Sequence, residues 1–148
     1  MENKRLTEIK FKYKKLHPDA KIQMPVFPGD VGYDVYATES KQIKPGEKAI
    51  INIGLAFEPP PGYYFTIETR SGHGINKNLR LHRGIIDNGF RKEVSVAVYN
   101  HGSYTYKILK GEKIAQLVLH PIIVFPLEEV KELSKTERGI KGFGSSGR

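Results

Sequence analysis

Asp87 is the residue of this sequence best placed for proton chemistry. It lies in RGIIDNGFRKEVSVAVYN, Arg83 to Asn100, on a tight glycine-bearing turn. Phe90 and the basic pair Arg91-Lys92 follow, then an alternating strand with Val94, Val96 and Val98 on one face. A carboxylate on a turn, braced by a regular strand, is the arrangement of a positioned base. Three further positions carry polar chemistry. Arg70, Ser71 and Gly72 open the glycine-rich stretch RSGHGINKN. Its guanidinium, its hydroxyl and amides freed by Gly72 and Gly74 suit phosphate oxygens, and an ordinary turn accounts for the same residues. Asp34 stands inside the apolar run VGYDVYA, and Asp is depleted in strands. A local turn or bulge would explain it, as would an anion or metal-water role. Gln116 sits among apolar neighbours in KIAQLVLHPIIVF, where a buried amide needs partners.

The elements that would hold these residues read as short strands. Residues 5–16 alternate and predict a first strand, residues 17–30 are turn formers, and residues 31–37 predict a second strand. Residues 43–69 predict strands broken at Pro45-Gly46 and Pro61-Gly62, and residues 70–78 could open one helical turn. Residues 103–109 alternate, Lys110-Gly111 makes a turn, and residues 113–125 predict a buried strand pair. Residues 127–137 are charged and read as a helical turn or a surface arm. The end, RGIKGFGSSGR, is a disordered terminus or a flap over a phosphate ligand. Many short strands with regular turns and no long helix predict one all-β sandwich or barrel over residues 1–148.

The bulk numbers narrow the function. A chain of 148 residues can bury one real core. The absence of Cys excludes disulfides and thiolate metal sites, and the histidines lack metal-ligand spacing. No apolar run approaches the roughly 20 residues of a membrane span, and MENKRLTEIK lacks a signal-peptide core. A soluble cytoplasmic protein is expected, with no membrane partner. The net charge of +8 would attract a polyanion. The lysines of IKFKYKKL nevertheless alternate as on a solvated strand face, no nucleic-acid motif appears, and no specific nucleic-acid binding is expected.

Five segments taken together resemble the trimeric jelly-roll dUTPases: VGYDVYA, TRSG, RGIIDNGF, KGEKIAQL and ERGIKGFGSSG, in the family's order and approximate spacing from residue 31 to the end. The resemblance implies a homotrimeric jelly roll with a mobile C-terminal arm, residues 138–148 forming a flexible lid. It implies hydrolysis of dUTP to dUMP and pyrophosphate, which supplies dUMP for thymidylate synthesis and keeps uracil out of DNA. Asp87 would orient and deprotonate the water that attacks the α-phosphorus. Arg70, Ser71, Gly72 and Gln116 would hold the phosphates, and Asp34 would reach Mg²⁺ through water. A hairpin near Leu81 to Ile86, with Gly84, Ile85 and Ile86 and with Ser95 beside it, would read uracil through its backbone. Phe90 would pack under the deoxyribose and exclude a ribose 2′-OH. Arg138 would approach the γ-phosphate, Phe143 would stack on uracil, and Gly144, Ser145 and Ser146 would surround the phosphates. The family also implies sites shared by three subunits, in the cytoplasm or, for a viral protein, in the host cytoplasm or nucleus.

The sequence departs from the family pattern at several points. Phe90 stands for a usual Tyr, Lys92 for a Gly, Gly89 for a common acidic residue, Ile140-Lys141 for Ser-Gly, and His73 for an apolar residue. IDNGF also resembles the dCTP deaminases, but their catalytic Glu aligns with Ala97 here. A binding or regulatory module on the same fold is the rival from another class. Retention of Asp87, Arg70, Gln116 and the tail argues against a purely non-catalytic version.

Overall fold

Alternation of apolar and polar residues builds almost every element. The structure, a computed structural model, describes residues 9–147. In chain order the strands are β1 (Lys12–Lys15), β2 (Ile22–Gln23), β3 (Gly32–Tyr36), β4 (Lys41–Ile43), β5 (Lys48–Asn52), β6 (Leu55–Glu58) and β7 (Tyr63–Glu68). One helix, α1 (Ser71–Asn76), precedes β8 (Leu79–Leu81), β9 (Ile85–Ile86), β10 (Ser95–Asn100), β11 (Tyr106–Ile108) and β12 (Lys113–Pro121). β10 shows the pattern plainly: Val96 and Val98 are buried while Ser95 is exposed.

The strands form an antiparallel five-stranded sheet in the order β2-β3-β12-β7-β9, a three-stranded sheet β5-β10-β8, and two pairs, β1-β6 and β11-β4. Their inner faces meet in one core that includes Val35, Ile51, Leu55, Phe65, Val96 and Leu117. Each such side chain contributes about 1.5–3 kcal/mol on burial. Phe11 packs between Phe57, Phe65 and Tyr33 with ring centroids 5.2–5.6 Å apart, which ties the first strand to the sandwich. Among the described residues the result is an all-β jelly roll with one short helix.

Four local expectations are corrected. The stretch 17–30 is not all loop, because β2 pairs with β3 through Ile22–Val35 and Gln23–Asp34. Residues 113–125 form one long strand to Pro121 rather than a pair, while of the two readings of residues 127–137 the exposed surface arm is the one seen. Leu81 to Ile86 is not a hairpin. β8 pairs with β10 and β9 with β7, so this segment crosses from one sheet to the other. The first strand spans Lys12–Lys15 instead of 5–16, and the expected residues 5–8 lie outside the described residues.

Candidate active site

The outer face of the five-stranded sheet gathers the polar residues of three strands. In the ladders, Asp34 of β3 faces Gln116 of β12, which faces Glu68 of β7. A period of two puts all three on the side away from Val35, Leu117 and Ile67. A bulge then re-aims one more residue. The register shifts between Lys113 and Ala115, so Lys113 rather than Ile114 stands opposite Tyr36. Ile114 turns into the core, and Lys113 joins Asp34 on the outer face.

Asp34 is held from two sides. Arg70 Nε donates to Oδ1 at 3.1 Å, and Lys113 Nζ lies 3.2 Å from Oδ2. The Arg70 guanidinium also donates to the Lys113 carbonyl at 3.5 Å. Gln116 Nε2 donates to the Thr69 carbonyl at 3.3 Å. Its Oε1 passes over Gly32 so closely that a Cβ there would meet it at 2.1 Å. Gly32 is thus a spacer for the amide. Gln116 is half-buried, not sealed in the core as its apolar neighbours suggested. Asp34, Arg70, Ser71 and Gln116 line a cleft of about 460 Å³, rimmed by Val26, Phe27 and Asp30. Ser71 and Gly72 are exposed at its edge. The amide of Gly74 is not free, since it donates to the Arg70 carbonyl at 3.0 Å.

Asp87 lies elsewhere on the chain. It is exposed, on a turn closed by Phe90 N donating to the Asp87 carbonyl at 3.1 Å. Asn88 pins this turn, with Nδ2 donating to the carbonyls of Pro60 at 3.0 Å and Tyr63 at 2.7 Å. Arg91 adds bonds to the carbonyls of Phe57 and Asn88. Asp87 and Asn88 line a separate groove of about 220 Å³ with Tyr64, Ile85 and Ile122 to Val124, which follow β12. The topology measures the gap. β3 and β9 are three strand spacings apart, and Asp87 lies some four residues along the ladder from the Asp34–Gln116–Glu68 row. That is about 14 Å across and 13 Å along, or about 19 Å in all. One chain therefore does not bring Asp87 to the Arg70 cleft.

The other expected residues are also placed. Gly84 accepts from Ile67 N at 2.9 Å, and Ile85 and Ile86 form the outermost strand of their sheet. Phe90 is partly exposed, and the Ser95 hydroxyl donates to Asn52 Oδ1. Arg138, Phe143, Gly144, Ser145 and Ser146 lie in an arm whose hydrogen bonds, among the described residues, close on the arm itself. Examples are Arg138 Nε to Lys141 O at 2.9 Å and Ser145 N to Gly142 O at 3.2 Å. Phe143 and Ile140 are fully exposed, as are Ile123 to Phe125 for the most part. Sequence reading missed Gly32, Lys113, Asn88 and Arg91 as supports. Of these only Asn88 carried a signal, the Asp-Asn-Gly turn.

The sandwich, with a polar cleft on the outer face of its larger sheet, defines an all-β jelly roll. A sequence model of dUTPase matches residues 19–147, and the chain belongs to the dUTPase family. The deoxyuridine 5′-triphosphate nucleotidohydrolase of Clostridium tetani is 39% identical over 145 residues, covering 97% of this chain and 100% of the relative. That of Clostridioides difficile is 41% identical over 138 residues, 92% of this chain and 96% of the relative. Among solved structures, the Staphylococcus bacteriophage 80alpha dUTPase with dUPNHPP superposes with a TM-score of 0.87 at 32% identity, covering 94% of this chain and 99% of that chain.

Proposed function

We propose that this chain hydrolyses dUTP to dUMP and pyrophosphate by in-line attack of water on the α-phosphorus, in active sites shared by three copies of the chain. The observation that carries the reading is the Arg70–Asp34–Gln116 cleft, in a member of the dUTPase family that also keeps Asp87 on a pinned turn about 19 Å away. A base must lie within hydrogen-bond reach of its water, so Asp87 serves the cleft of a neighbouring copy.

Each group then has one task. Arg70, Ser71 and Gly72 bind phosphate oxygens, and Gln116 orients them with its amide. Asp87 takes the proton of the attacking water. The outer edge of β9, at Gly84 to Ile86, reads uracil by backbone donors and acceptors, with Ser95 nearby. A cytosine amino group would leave a buried polar mismatch there. The ring of Phe90 packs against deoxyribose and leaves no room for a 2′-OH. The arm of a third copy brings Arg138, Phe143, Gly144, Ser145 and Ser146 over the bound nucleotide as a lid, residues 138–148, of which Arg148 lies outside the described residues. That lid excludes water other than the nucleophile.

Charge supports a composite site. Arg70 in the cleft and Lys113 behind it are offset by Asp30 and Asp34, so the cleft alone does not neutralise a triphosphate. Arg138 and Lys141 of the arm add positive charge. Mg²⁺ fits here only as an ion carried mainly by substrate phosphates. Both Asp34 oxygens are already engaged, and among the described residues no three His, Cys, Asp or Glu side chains converge. Asp34 would contact the ion through water. When bound, the ion offsets phosphate charge and orients the triphosphate. The product dUMP feeds thymidylate synthesis, removal of dUTP keeps uracil out of DNA, and the expected setting is cytoplasmic.

The test is pyrophosphate release by the purified protein with Mg²⁺ and, separately, dUTP, dCTP and UTP. Turnover is expected with dUTP alone. Absence of dUTP turnover would overturn the reading, and equal turnover of UTP would remove Phe90 from sugar discrimination.

A further inference from the structure

His73 is a buried polar side chain. Its Nε2 lies 3.1 Å from Glu112 Oε1. The same carboxylate accepts from the Tyr106 hydroxyl, and its other oxygen accepts from the Leu109 amide at 3.0 Å. Lys77 closes the cluster, with Nζ 2.9 Å from the Tyr106 hydroxyl and 3.8 Å from Glu112. These four side chains are absent from the cleft lining.

Their connections lead to the cleft, however. Arg70, the N-cap of α1, and His73 are three residues apart and so lie on one helical face. Arg70 reaches the Lys113 carbonyl and Asp34, and His73 reaches Glu112, the residue before Lys113. The Glu112 carbonyl in turn accepts from Ala37 N at 2.9 Å, one residue beyond the strand that carries Asp34. A single segment, Glu112-Lys113, therefore anchors the helix on one side and the Asp34 strand on the other.

We propose that His73 is a positioning residue: its bond to Glu112 fixes the rotation of α1 so that Arg70 presents its guanidinium to Asp34 and to the substrate phosphates. The role follows from what an α1 of six residues lacks. It has no side-chain N-cap bond and no acidic residue in its first turn, and His73 is its only buried residue. Burial holds His73 below its ordinary pKa, so near neutral pH the ring is uncharged and its Nε2–H donates to the carboxylate. Glu112 is itself pushed up by burial, but the bonds from Tyr106, Leu109 and His73 outweigh that and keep it ionised.

The inference rests on the phosphate role given to Arg70 above. Its test compares wild type, His73→Leu and His73→Gln with Mg²⁺, because the Gln amide nitrogen can take the place of Nε2. We measure KM and kcat for dUTP, and the affinity for inorganic pyrophosphate by calorimetry. His73→Leu is expected to raise KM and to weaken pyrophosphate binding about tenfold, a typical loss for a supporting contact, with kcat within about twofold. His73→Gln is expected to recover most of that loss. Glu112→Leu, which removes the acceptor of the same contact, is expected to show the same split. Unchanged KM and pyrophosphate affinity in a folded His73→Leu would overturn the proposal. So would a fall in kcat alone, or a Gln variant no better than Leu. A wild type that fails to turn over dUTP would instead overturn the reaction assignment, while the pyrophosphate comparison still judges His73.

Discussion

Arg70 Nε donates to Asp34 Oδ1 at 3.1 Å, while Lys113 holds the other oxygen of the same carboxylate at 3.2 Å. The pair is partly exposed, with about a third of the Arg70 side chain open to the cleft. Solvent screening limits its value for folding to about 1 kcal/mol or less. Its larger effect is to aim the guanidinium. Arg70→Ala is therefore expected to fold with little loss of thermal stability, and to raise KM for dUTP by about 10- to 100-fold, the worth of charge-assisted hydrogen bonds. Steady-state kinetics beside a thermal melt checks both halves.

Gly32→Ala tests the Gln116 amide without touching it. The added methyl group would meet Gln116 Oε1 at 2.1 Å, so the amide must swing aside and lose its bond to the Thr69 carbonyl. The backbone at residue 32 has no positive φ, so alanine adds no backbone strain. Activity is expected to fall about tenfold, as when a site residue is displaced by about 1 Å or less. Structure determination of the variant would show the rotated amide.

Asn88→Ala tests the support of Asp87. The Pro60 and Tyr63 carbonyls lose their common donor, and the turn loses its tie to the β6–β7 connection. A stability loss of about 1–2 kcal/mol is expected from denaturant melts. kcat is expected to fall more than KM changes, because Asp87 serves the chemical step.

Acid sensitivity tests the buried His73. Burial is the largest cause of its lowered pKa, with Lys77 and Arg70 adding to it and Glu112 opposing. On acidification the unfolded chain takes up that proton first, so stability is lost as pH falls below the ordinary value of 6.5. Glu112 adds its own loss only below about 4.5. Between pH 7.5 and 5.5 the melting temperature of wild type is therefore expected to drop more than that of His73→Leu. Parallel melting curves would contradict this.

Sequence reading found the strands where burial on one face imposed alternation, as in β10, and found turns such as Lys110-Gly111, where Gly111 takes φ +83. It also singled out Asp34, Arg70 and Gln116, which the structure gathers in one cleft, and Asp87, which lies apart from them; all four are chemically conspicuous against their neighbours. It misplaced what depends on long-range pairing. The resemblance implied a hairpin near Leu81 to Ile86, but each end is captured by a different sheet. β2 is two residues long and exists only because β3 offers an open edge. Lys113 joins Asp34 through a bulge, which shows in the register and not in the composition. The burial of His73 was likewise invisible, since its partner Glu112 is 39 residues away.

The central claim is that Asp87 completes the Arg70 cleft of another copy, and complementation tests it most directly. Assayed at dUTP well below KM, Asp87→Asn and Arg70→Ala are each expected to be nearly inactive alone. Unfolded together in equal amounts and refolded, they should form mixed assemblies in which some sites pair an intact Asp87 with an intact Arg70. Random assembly gives about a quarter of wild-type activity. Activity that stays at the sum of the two separate variants, in a mixture shown to have exchanged chains, would contradict the shared site.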